Sequence, residues 1–200
     1  MNPKDDPIKD LSEIRSMMER SSKFLSLSGL AGVSAGIVAL VGAAAAGWHI
    51  RNNEGNSEQR NLLTFFVLDA TIVLILALLL AIFFTTRMAK RKGLSVWGST
   101  TKYLLMSLLI PLAAGGIFCM ILWYHGLAIL IAPSTLIFYG LALLNTTKYT
   151  LEEIRYLALF EIGLGLMASL LLDSWLIMWA LGFGILHIVY GIFMYMKYER

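Results

Sequence analysis

The sequence predicts an all-α fold, a polytopic membrane bundle of six transmembrane helices preceded by an N-terminal amphipathic cytoplasmic helix. Three observations carry this expectation. Six long apolar stretches, separated by short polar breaks, fill almost the whole chain after residue 23. Charged residues make up only 14% of the 200 residues, against about 25% in a soluble domain. Fourteen of the sixteen Lys and Arg residues fall on one side of a six-span arrangement. Unpaired backbone groups are too costly in hydrocarbon, so each apolar stretch must close its own hydrogen bonds as a helix.

The elements follow in order. Residues 1–23 form an arm in which Ile8, Leu11, Ile14 and Met18 recur near helical spacing, with Asp10, Glu13, Glu19 and Arg20 on the other faces. This suits a helix lying on cytoplasmic headgroups, or an arm that docks a partner. The arm lacks an apolar core, so the first span is expected to be retained rather than cleaved as a signal peptide. Residues 24–200 form the transmembrane domain, with spans at about 24–48, 62–85, 103–123, 127–144, 156–172 and 175–196.

Orientation follows from the basic residues. The arm, the connection holding Arg87, Lys90, Arg91, Lys92 and Lys102, the connection holding Lys148 and Arg155, and the C-terminus with Lys197 and Arg200 all fall on one side. Only Arg51 and Arg60 fall on the other. Both termini are therefore expected in the cytoplasm. Trp48, Trp123, Tyr124, Trp175 and Trp179 then lie near outer helix ends, and Tyr103, Tyr149, Tyr156, Tyr195 and Tyr198 near inner ends.

Span one is dense in small residues. Gly32 and Gly36 form a small-xxx-small pair that lets two helix backbones approach closely. That face suits packing inside the bundle, or a homo-oligomer with a second copy. Pro111 in the third span and Pro133 in the fourth predict two bent helices, an arrangement found around some transporter paths. Thr150 and Glu153 have the spacing of a capping box ahead of the fifth span. Cys119, the only cysteine, excludes an intramolecular disulfide and a cysteine-rich metal site.

Ionisable groups at membrane depth are the candidates for function. Spans five and six turn near Asp173-Ser174-Trp175. Glu161 lies thirteen residues before Ser174 and His187 thirteen after it, which places both roughly 20 Å below the turn. A carboxylate and an imidazole at one depth can share a proton, or lock two helices by a hydrogen bond. Tyr190 lies almost one turn from His187 and is a further member of this ligand or proton site. Asp69 lies about two turns below the outer end of span two, level with Val41 and Gly42. Asp69, His49, His125 and Asp173 are the available metal ligands if the outer helix ends converge, although no two stand at i, i+3 or i, i+4. No cofactor is expected.

Phosphate loops, metalloprotease helices and nucleophile elbows are absent. Nucleic-acid binding is excluded because no folded aqueous domain exists to organise it. The run Ile14-Arg15-Ser16-Met17-Met18-Glu19-Arg20-Ser21-Ser22-Lys23-Phe24, then Leu27-Ser28-Gly29-Leu30, resembles a family of uncharacterised bacterial multi-span proteins. So does Trp179-Ala180-Leu181-Gly182-Phe183-Gly184, followed by His187, Tyr190 and Gly191. The resemblance implies an integral protein of the bacterial inner membrane and brings no established activity. Some such proteins carry a carotene-monooxygenase-like label. The soluble carotenoid-cleaving oxygenases hold iron with four histidines on a β-propeller, whereas this chain has three histidines.

The expected function is non-catalytic binding of a small apolar or amphipathic ligand, or of a membrane partner, with membrane lipids as surroundings. Two other readings stay open. One is a small proton-coupled transporter using Glu161 and His187. The other is an intramembrane lipid-modifying enzyme using Asp69 and the outer histidines.

Overall fold

The computed structural model describes residues 28–52, 59–93 and 98–200, without the side chains of 59–63. The amphipathic arm at 1–23 lies outside the described residues. The described chain is all helical. Helix α1 runs Gly29–Asn52, α2 Gln59–Arg91 and α3 Ser99–Tyr124. A tight turn at Ala128–Leu130 leads into α4, Ile131–Thr146, and then α5, Ile154–Leu170. A second tight turn, Leu172–Ser174, opens the last helix. That helix has three parts: α6, Trp175–Trp179; a π-helical stretch, Ala180–Leu186; and α7, His187–Tyr198.

Five helices are long and apolar enough to cross a membrane: α1, α2, α3, the Ala128–Thr146 helix and the Leu172–Tyr198 helix. The remaining helix, α5, has 17 residues and so rises about 25 Å. Its surroundings fit the same slab. Phe160 and Leu166 on α5 are more than half exposed, as are Ile72, Leu79 and Ile82 on α2. An apolar coat of this extent suits hydrocarbon and would drive aggregation in water.

Packing falls into two groups joined by the last helix. Helix α1 lies between α2 and the last helix, while α4 lies between α3 and α5. Glycine makes both inner seams close. A Cβ on Gly36 would stand 2.6 Å from the Gly184 carbonyl oxygen, and one on Gly191 would stand 2.5 Å from the Gly29 oxygen. A Cβ on Gly165 would meet Ile137 N and Pro133 O at 2.9 Å. Backbones this near maximise dispersion contact where lipid supplies no hydrophobic drive. The Gly32 and Gly36 face is thus filled by the chain's own last helix.

The two prolines differ in consequence. Pro111 is interior to α3. It has no N–H for the Ser107 carbonyl one turn back, and Asn145 Nδ2 of α4 donates to that oxygen at 2.8 Å. Pro133 stands in the first turn of α4, where a missing donor costs little, so the expected bend within that helix is replaced by a helix start. Helix α5 begins at Ile154, and its N-cap Glu153 makes no side-chain cap bond.

One end of the bundle is tied together. The Glu199 carboxylate accepts from the Gly29 N–H and from Ser28 Oγ, the latter at 3.3 Å, so the chain's end caps the start of α1. Lys92 Nζ, just past α2, donates to the Tyr198 carbonyl at 3.2 Å. Glu153 Oε1 accepts from Lys197 Nζ at 2.5 Å and from Tyr198 Oη at 2.7 Å.

Candidate functional site

Three helices place three polar side chains together in the bundle. Glu161 from α5 is fully buried, and His187 at the start of α7 is 6% exposed. His187 Nδ1 lies 3.3 Å from Glu161 Oε1 and 3.0 Å from the Gly182 carbonyl oxygen. Tyr139 Oη of α4 lies 2.9 Å from His187 Nε2. A carbonyl oxygen can only accept, so the Gly182 contact requires a hydrogen on Nδ1. Neither oxygen of Glu161 has a hydrogen-bond donor among the described residues.

The local backbone explains this proximity. A Cβ on Gly182 would stand 2.6 Å from Glu161 Oε2, so only glycine leaves room for the carboxyl there. Gly182 and Gly184 both lie in the π-helical stretch, which ends where His187 begins. A π turn widens the helix by one residue and commonly marks a functional position. Aromatic rings wall the imidazole. Phe183 stacks on His187 with centroids 5.9 Å apart, Tyr139 lies 5.4 Å away, and Trp179 continues the row at 5.0 Å from Phe183.

The other candidates sit elsewhere. Tyr190 lines a groove of about 830 Å³ between α5 and α7, and the hydroxyl at His187 belongs to Tyr139 instead. The groove carries Leu157, Phe160, Leu186, Val189 and Phe193 on its walls, with Lys148, Glu152, Arg155 and the Glu153–Lys197 pair at its polar end. Burial works against the charge on Glu153, but the donors Lys197 and Tyr198 outweigh it and hold its carboxyl below the usual glutamate range. Among the described residues, Lys148 and Arg155 have no ion-pair partner.

Asp69 rests on α1 at the Gly42 level, its oxygens 3.5 and 3.7 Å from where a Gly42 Cβ would stand. His49 stacks on Phe65 at 3.9 Å, and His125 lies edge-on beside Tyr124. Asp173 is exposed in the turn before α6. Among the described residues no three of His, Cys, Asp and Glu gather as a metal site, so the structure does not bring Asp69, His49, His125 and Asp173 together.

Tyr139 is the residue that sequence reasoning missed. The counting that levels Glu161 with His187 also reaches it: Tyr139 stands as far past the Gly126 turn as Glu161 stands before Ser174. Comparison with family models, curated proteins and solved structures finds no match to this chain.

Proposed function

We propose that this chain is a six-span protein of the bacterial inner membrane, with both termini cytoplasmic, that binds an anionic amphiphile without catalysis. The groove between α5 and α7 carries this reading. Its apolar walls suit an acyl chain, and Lys148 and Arg155 at its polar end suit a negative headgroup. Its volume of about 830 Å³ falls in the range of small-molecule sites, about 300–1,000 Å³. The six-span count draws support from the capping of α1 by Glu199, because an even number of crossings returns the chain to the end where α1 starts. The inner-membrane placement and the kinship with bacterial multi-span proteins rest on the sequence resemblance alone.

The test is ligand-dependent stability of the full chain in a neutral detergent. Phosphatidylglycerol is expected to raise the thermal midpoint more than phosphatidylcholine of equal chain length. The double variant Lys148→Glu/Arg155→Glu should lose that preference, and Val189→Trp should weaken the response to both lipids by filling the groove. Equal shifts for the two lipids in the unaltered protein would remove the anionic headgroup from the proposal.

A second reading, proton-coupled transport, is favoured by one observation, the buried Glu161 carboxyl beside His187, a carboxyl that has no hydrogen-bond donor among the described residues. The lipid-modifying alternative through Asp69 and the outer histidines gains no support from the dispersed positions of those groups.

A further inference from the structure

A carboxylate deprived of water needs a counter-charge or a proton, since an isolated ion in a low-dielectric interior is very costly. Glu161 is fully buried, neither of its oxygens receives a hydrogen bond from the described residues, and the group beside it is His187 Nδ1. Other titratable groups on the elements around the pair are few. Helix α4 contributes Tyr139, which touches His187. Helix α1 carries His49 and Arg51 in its last turn, at the outer end. Apart from Glu161, α5 carries only Arg155 and Tyr156 near its start, just past Glu153. The Trp175–Leu186 stretch has none, and α7 has Tyr190, Tyr195, Lys197 and Tyr198 beyond His187.

Hydrogen-bond chemistry restricts where protons can sit. Gly182 O requires a hydrogen on Nδ1, whereas the Tyr139 hydroxyl can donate to Nε2 or accept from it. A neutral ring with Tyr139 donating leaves Glu161 as a carboxylic acid. An imidazolium with Tyr139 accepting supplies the counter-charge for a Glu161 carboxylate. The two arrangements hold the same number of protons, and neither carries net charge. The direct move between the partners is Nδ1–H to Oε1: the N–H bond breaks, the O–H bond forms, and imidazolium and carboxylate neutralise together. The ring then keeps its hydrogen on Nε2, and Gly182 O loses its donor.

We propose that Glu161 and His187 form an intramembrane proton-binding site that shares one exchangeable proton, with Tyr139 as the adaptable hydrogen-bond partner and the Ala180–Leu186 π stretch as the element that senses where the proton lies. This proposal does not depend on the ligand groove, which lies toward the cytoplasmic end of the same hairpin.

The test uses full-length protein in nanodiscs carrying His49→Gln and His125→Gln, so that one imidazole remains. Ring ¹⁵N shifts of His187 are followed from about pH 5 to about pH 9, together with the infrared C=O band of a protonated carboxyl. The ring is expected to change protonation in that range, and the acid band to change in step with it. Glu161→Gln should abolish the band and weaken proton uptake by the ring about tenfold or more. Glu153→Gln, outside the cluster, should leave both readings unchanged. A ring that keeps one protonation state throughout overturns the proposal, and that reading is made with Glu161 intact, so it stands even if the Glu161 variant fails to fold. A ring that titrates identically with and without Glu161 overturns the sharing.

Discussion

Glu153 and Glu161 belong to one hairpin but meet opposite surroundings. Glu153, at the aqueous end, receives Lys197 and Tyr198, and these donors hold its carboxyl below the usual range despite the opposing effect of burial. Folding therefore favours its ionised form. Such a group stabilises the fold above the unfolded glutamate value, about 4.3, and that contribution is lost as pH falls through the lower folded value. Glu153→Gln is expected to lower the thermal midpoint at neutral pH and to flatten its decline on acidification. High salt should shrink the difference, because Lys197 is open to solvent. Midpoints measured against pH and salt check this, and identical acid slopes in the two proteins would refute it. Among the described residues Glu161 meets no such donors, and its height was legible from the sequence because helix rise converts residue number into depth. Direction was not legible. Counting leaves helix phase open, so Tyr190, on the same helix as His187, was an obvious candidate, whereas Tyr139 is delivered by the packing of α4.

At the scale of elements, Pro111 and Asn145 form a complementary pair. The proline strands the Ser107 carbonyl, and the amide of a neighbouring helix satisfies it. Asn145→Leu should cost about 1 kcal/mol, the usual size of an interhelical hydrogen bond in a membrane protein. In a Pro111→Ala background the restored N–H takes over Ser107 O, so the same change should cost less. Equal costs in both backgrounds, measured by unfolding in detergent, would show that the pair is not coupled. Glycine offers a second comparison. An added Cβ on Gly36 meets the Gly184 carbonyl at 2.6 Å and Ile188 N at 3.0 Å, while one on Gly47 meets only the flexible Leu176 side chain at 3.5 Å. Gly36→Ala is therefore expected to destabilise by about 1–3 kcal/mol and Gly47→Ala far less. The density of small residues announced a close helix seam, but which helix would fill it depended on packing order. The π stretch was also hidden, because a run of apolar residues with two glycines reads as ordinary helix.

For the whole molecule, apolar runs specify helices, since that depends on transfer free energy rather than on partner geometry, and the basic connections predict a direction of insertion. The short α5 is where that reading is most exposed to test. At 17 residues it either completes a sixth crossing or leaves the last helix running the opposite way. The ties at one end argue for completion: Glu199 caps α1, Lys92 reaches Tyr198, and Lys197 reaches Glu153. Three connections across that end are compatible only if the starts of α1 and α5 and the ends of α2 and α7 share a side. Single cysteines in a Cys119→Ala background read this directly. An impermeant thiol reagent on intact cells is expected to label Asn53→Cys, and to label Gly93→Cys and Arg200→Cys only after permeabilisation. Labelling of Arg200→Cys from outside while Gly93→Cys stays protected would mean that α5 does not cross. Protection of Asn53→Cys with labelling of the other two would invert the orientation and separate the basic residues from the cytoplasmic face.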